Sequence, residues 1–203
     1  MSTHERWSAS WQGLAAAPAE PYGQLTGAYA EPHRHYHTAQ HLDECFACFD
    51  EIGPLAEHPA EVAIALWFHD AIYDPKRQDN EERSAAWARR TMLAAGAAPD
   101  AAARVHALVM ATRHAAVPRG LDEAVLVDID LSILGAAPGR FDEYERQVRA
   151  EYAWVPEFLF RRKRRQILDE LLARASIFST APMRGRLEAR ARANLGRSLE
   201  RLG

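Results

Sequence analysis

Residues 37–54, "HTAQHLDECFACFDEIGP", decide the fold class. Leu42, Cys45, Phe46 and Phe49 fall on one face of a helix, and Gly53-Pro54 stops it. The same period runs outward in both directions. Trp7, Trp11 and Leu14 repeat at i, i+4, i+7 in "ERWSASWQGLAA" (5–16). "HPAEVAIALWFHD" (58–70) is apolar on nearly all sides, with Pro59 near its start, where proline is tolerated. "DNEERSAAWARRTMLAAG" (79–96) opens on Asp79 or Asn80 as a cap, carries acids in its first turn and ends at Gly96. Further helices are predicted over about 99–113, 121–135, 139–154, 155–175 and 186–202. Clear period-2 alternation and Asn-Gly or Asp-Gly hairpin turns are not evident. The expectation is an all-α globule of about ten helices. Its core would lie at about 30–135, with the helices of 138–203 packed on it.

A chain of 203 residues is long enough to bury a core without disulfides. Its composition, 48% hydrophobic and 26% charged, is that of an ordinary soluble protein. No apolar run approaches the ~18 residues of a membrane span, and the N-terminus lacks the continuous apolar segment of a secretory signal. A cytoplasmic location is expected. The net charge of −3 provides no basic field for nucleic acid, and no aromatic-basic pattern appears, so a nucleic-acid polymer is not the expected partner.

Three breaks in the pattern point to chemistry. "EPHRHYHTAQHLDE" (31–44) crowds His33, His35, His37 and His41 together. The apolar helix ends in His69-Asp70. Asp128 and Asp130 interrupt the branched aliphatics of "AVLVDIDLSIL" (124–134), where ionised carboxylates seldom enter unless paired or bound to a metal. One metal ion would account for all three, because imidazole and carboxylate together suit Zn, Mn, Fe, Co or Ni. Asp128 and Asp130 are i, i+2 on a helix and cannot both face one point. His37 and His41 project together if the helix has begun by Tyr36 or His37. His33 and His35 read as surface residues, and His106 and His114 as structural or substrate-facing ones. "CFAC" (45–48) lacks both a thioredoxin-like setting and a second ligand pair, so Cys45 and Cys48 read as core. "RRKRR" (161–165) spreads around a helix and reads mainly as solvated.

The order His41, His69-Asp70, Asp130 resembles the HD superfamily of metal-dependent phosphohydrolases, all-helical enzymes that bring these four ligands together from separate helices. "YHTAQHLDE" is similar to the Tyr-His-x-x-x-His segment of cyclic-nucleotide phosphodiesterases, and "DLS" (130–132) to the segment that holds their last aspartate. Through "EPHRHYHTAQHL", "WFHDAIYD", "DNEERSA", "DIDLSILG", "EYAWVPEF" and "ARANL" the chain resembles a bacterial family of predicted HD phosphohydrolases.

The resemblance implies one divalent transition metal, or Mg, on His41, His69, Asp70 and Asp130, with Asp130 preferred to Asp128. It implies His37 as proton donor to the leaving oxygen, and it places Arg34, Asp79, Asn80, Glu81 and Arg164 near the cleft. There Asp70 would also orient the attacking water, Glu81 would hold a water or His69, Asn80 would line the substrate, and Arg34 or Arg164 would contact phosphate oxygens. The expected activity is hydrolysis of a small phosphoester, a nucleotide or related metabolite. The alternatives are a di-iron oxygenase, which needs further ligands, and a silent nucleotide-binding sensor.

Overall fold

The computed structural model describes residues 1–114 and 116–203. Among them are ten α-helices, two short 3-10 turns and no strand. The all-α expectation therefore holds. None of the described helices is long and apolar enough to cross a membrane. The chain divides into two compact units, Met1–Ile129 and Asp130–Gly203.

The first unit is built around α4 (Pro59–Phe68), in which every residue from Glu61 to Phe68 is buried. A helix with no polar face must be covered on all sides, and the other helices of the unit do this. They are α1 (Thr3–Ser10), α2 (Ala19–Ala28), α3 (Ala39–Ile52), α5 (Asn80–Ala94), α6 (Pro99–Ala111) and α7 (Leu121–Asp130). Trp67 of α4 meets Trp7 edge-on at 5.4 Å and Phe46 at 5.0 Å between ring centroids. Its indole N–H donates to Ser10 Oγ (3.0 Å), while the Tyr29 hydroxyl donates to its carbonyl (3.2 Å). The buried Glu61 is matched by a two-pronged Arg104 guanidinium at 2.6 and 2.8 Å. The segment leading into α4 is held from α7, where Asp122 accepts the backbone N–H groups of Glu57 (2.6 Å) and His58 (3.1 Å).

Several boundaries differ from those the periodicity predicts. α1 stops at Ser10, short of Leu14, and the chain turns through Gly13 at φ +81°, a conformation glycine adopts without strain. α2 carries Pro21, Gly23 and Gly27, which conceal a helix from propensity reasoning. The predicted 121–135 helix ends at Asp130, and Leu131–Gly135 tightens into a 3-10 turn. α3 begins at Ala39, with the Thr38 hydroxyl accepting the N–H of Gln40 (3.3 Å), so His37 lies before the helix.

In the second unit that 3-10 turn is followed by α8 (Pro138–Glu151), α9 (Glu157–Leu172) and the long α10 (Ala181–Leu202). Asn194 of α10 donates to the carbonyls of Leu134 (2.8 Å) and Ala136 (2.9 Å). A Cβ on Gly135 would stand 2.6 Å from that of Leu187, so only glycine permits this approach. Glu188 of α10 accepts the N–H groups of Ile177 (3.0 Å) and Phe178 (3.2 Å), the Ser176 hydroxyl (3.1 Å) and Arg192 Nε (2.8 Å). Arg192 in turn donates to the carbonyls of Leu172 (3.0 Å) and Arg174 (2.7 Å), which ties the end of α9 to α10.

Candidate metal centre

The centre forms where α3 passes the C-terminal end of α4. His41 is in the first turn of α3, and His69 caps α4; both are buried. Their Nε2 atoms are 3.1 Å apart. Asp70, the next residue, places Oδ2 at 3.0 Å from His69 Nε2 and 3.5 Å from His41 Nε2.

Each imidazole is fixed from behind. His69 Nδ1 lies 2.7 Å from the Leu66 carbonyl. A carbonyl only accepts, so Nδ1 carries the proton and Nε2 presents its lone pair forward. The Tyr36 hydroxyl stands 3.0 Å from His41 Nδ1. Such outer contacts set the orientation and tautomer of metal-binding histidines.

Cys45 lies one helical turn after His41 and so shares its face. Its Sγ is 3.6 Å from His41 Nε2 and 3.7 Å from Nδ1. Asp130 is the last residue of α7. One ligand atom each from His41, Cys45, His69 and Asp130 lie within 4.8 Å of one another, a group able to hold a metal ion. Asp128, fully buried in α7, is not a member of this group, and neither is Asp70, which is placed by its own spacings to the two imidazoles.

The spacings fit a metal. Around a tetrahedral ion with metal–nitrogen bonds of 2.0–2.1 Å, two nitrogens stand about 3.3–3.4 Å apart. The imidazole and carboxylate spacings of 3.0, 3.1 and 3.5 Å bracket that value. Burial pushes the Asp70 carboxyl upward; with the neighbouring imidazoles protonated, their charge, that of His69 first, outweighs burial and holds the carboxyl below the usual carboxylate range.

The remaining predicted residues fall in varied settings. His37 precedes the helix and lies in a turn, not on a helix face. Its ring stacks on Tyr73 at 4.1 Å and stands 6.1 Å from the ring of His41. Arg34 is not turned outward toward a phosphate. Its side chain is wholly buried. It donates to the carbonyls of Asp70 (2.6 Å), Ala71 (3.0 Å) and His37 (3.3 Å) and to the Glu31 carboxylate (3.0 Å). With its donors so engaged, Arg34 is a clamp between the approach to α3 and the exit of α4. Asn80 braces the loop before α5, pairing with both the N–H (3.2 Å) and the carbonyl (2.9 Å) of Asp74. Asp79 is held by Arg77 at 2.6 and 2.7 Å instead of capping α5. Glu81 is turned toward Arg113, at 3.6 Å.

In the second unit, Arg164 is buried and donates to the Tyr144 hydroxyl (2.9 Å) and to Glu145. His33 is exposed, with its Nε2 against the Tyr73 carbonyl at 2.8 Å, and His35 is exposed as well. His106 is half-buried on α6, and His114 follows that helix at φ +53°.

Cys45 is the residue that sequence reasoning left in the core. Burial was the correct expectation for both cysteines. The signal for its place beside His41 was the i, i+4 spacing, the same spacing used to link His37 to it. In comparison with known proteins, the sequence matches no family model, no curated protein and no solved structure.

Proposed function

We propose that this protein is a metal-dependent hydrolase of a small phosphoester, a nucleotide or a related metabolite, of the HD type its sequence resembles. One observation carries the reading: two buried imidazoles present Nε2 atoms 3.1 Å apart, with a carboxylate oxygen within 3.5 Å of both. Two nitrogens that close, backed by the Leu66 carbonyl and the Tyr36 hydroxyl, are an arrangement that a cation stabilises. His41, His69, Asp70 and Asp130 would hold the metal. When bound, a divalent ion polarises a phosphoryl oxygen and lowers the pKa of water toward ~7.

The chain's own residues supply the rest. Asp70 has a second carboxylate oxygen with which to orient the attacking water. His37, its ring 6.1 Å from that of His41, would give a proton to the departing oxygen. Tyr73, stacked on that ring, sets its plane. Arg34 fixes the carbonyls of His37 and Asp70 on one guanidinium nitrogen, so donor and carboxylate keep a constant separation.

The test is a panel of small phosphoesters, nucleotides included, assayed with Mn, Co, Ni, Zn and Mg in turn. Metal-dependent turnover of at least one, lost in His69→Ala, is the expected result. Inactivity on every ester under every metal would overturn the reading, and oxygen consumption with two irons per chain would replace it.

A further inference from the structure

The net charge of −3 is the sum of an uneven distribution. Residues 130–203 carry 15 Lys and Arg against 10 Asp and Glu, so this part of the chain is cationic. Within it, where α8 turns into α9, stand Trp154 and Phe158, 54% and 71% exposed. Among the described residues every other Trp, Tyr and Phe is buried or half-buried. We propose that this corner is a docking surface for an anionic lipid bilayer, with Trp154 and Phe158 entering the headgroup region and the basic residues of α9 held against lipid phosphates. The inference is independent of the metal-centre reading.

The exposure is built into the turn. Arg149 of α8 donates to the carbonyls of Tyr152 (2.6 Å) and Val155 (3.2 Å) and to the Glu157 carboxylate (2.8 Å). Its guanidinium also lies over the Phe160 ring, 4.8 Å from the centroid. The Val155 N–H closes the turn on the Tyr152 carbonyl at 2.9 Å. So braced, the turn cannot fold its two rings inward without giving up these bonds. Large apolar side chains held out in water on one short turn mark an interaction site. Trp suits a bilayer interface in particular, because its ring body is apolar and its N–H stays wet.

Charge identifies what covers them. Residues 149–165 hold six Lys and Arg and only two Asp and Glu. Of those two, Glu157 is paired with Arg149 and Glu151 is buried. Arg162 and Lys163 are exposed, and Arg162 lies one turn after Phe158 on the same face of α9. Arg161 and Arg165 reach the carbonyls of Leu202 (3.1 Å) and Leu199 (3.2 Å), neutral partners that leave their positive charge in the local field. A second copy seated symmetrically on this corner would bring like charges together. Single-stranded nucleic acid is held in a groove that tracks its backbone, whereas these rings share their corner with exposed Ala153, Pro156 and Glu157. An anionic bilayer offers apolar depth to the rings and phosphate to the cations.

The experiment sediments the full chain with vesicles of phosphatidylcholine alone and of phosphatidylcholine mixed with phosphatidylglycerol. Binding to the anionic vesicles only, weakened by salt, is expected. It should fall at least about tenfold in the double variant Trp154→Ala, Phe158→Ala and in the double variant Arg162→Glu, Lys163→Glu. All four side chains are exposed, so circular dichroism should show unchanged helix content. Tryptophan fluorescence of the unaltered protein should shift to the blue on binding, and the shift should be absent in Trp154→Phe, which still binds. No sedimentation with anionic vesicles would overturn the proposal. Equal binding to both kinds of vesicle, binding that survives both double variants, or a blue shift that remains in Trp154→Phe would do the same. A single-stranded oligonucleotide bound where vesicles are not, or a dimer lost in the aromatic variant without vesicle binding, would replace the bilayer with that partner.

Discussion

His37 and His41 are four positions apart and differ in backbone, since one lies before the cap of α3 and the other within its first turn. Their roles should separate on mutation. His41→Ala should abolish both metal retention and turnover. His37→Ala should retain metal by elemental analysis and lose about 10²–10⁴-fold in kcat, the usual scale of general acid catalysis. That loss should shrink on aryl phosphates, whose leaving groups depart with less need of a proton. Equal losses on good and poor leaving groups would refute the proton-donor role.

Tyr36 makes a third point of test. Tyr36→Phe removes the oxygen 3.0 Å from His41 Nδ1 and should weaken metal affinity about 10–100-fold, measured by chelator competition, with little change in secondary structure. Of the residues at the centre, those legible in the sequence broke a local pattern: His69-Asp70 at the end of an apolar helix, and Asp130 among aliphatics. Arg34 was legible as important but not as a clamp. Its partners are mostly backbone carbonyls, which no side-chain pattern displays. Cys45 was hidden because a cysteine on an apolar helix face fits the core equally well.

At the scale of elements, α4 was the plainest to read, because eight consecutive buried residues leave no polar face to interpret. α2 was the least, because its proline and glycines oppose helix formation and only packing overrides them. The junction of α9 and α10 rests on Glu188. Burial pushes its carboxyl upward, but the N–H groups of Ile177 and Phe178, with Arg192 and Ser176, prevail and lower it from the ordinary 4.5. A group whose folded value is depressed stabilises fully above its unfolded value, and that contribution fades as pH falls through the folded one. Glu188→Gln should therefore cost roughly 1.5–3 kcal/mol at neutral pH, from hydrogen bonds to a charged group. The difference from the unaltered protein should narrow steadily below about pH 4.5. Urea titrations at a series of pH values would measure it, and a gap independent of pH would rule out the carboxylate as its source.

For the molecule as a whole, an ion that binds the folded chain alone adds to its stability by mass action. Zn at a hundredfold excess over its Kd should contribute about 2.7 kcal/mol. For a chain of this length that is a rise in Tm of roughly 5–10 °C, reversed by chelator and absent in His69→Ala. The same property bears on how the centre opens. Arg34 holds the carbonyls of His37, Asp70 and Ala71 with a side chain that has no access to water. Neither the approach to α3 nor the exit of α4 can loosen without stranding a buried charge, so the two segments must fray together or not at all. Amide hydrogens on either side of the clamp should then exchange at a common rate, and Arg34→Met should uncouple them. Such a site gives up local breathing, so any ligand would meet a surface that is already shaped before it arrives.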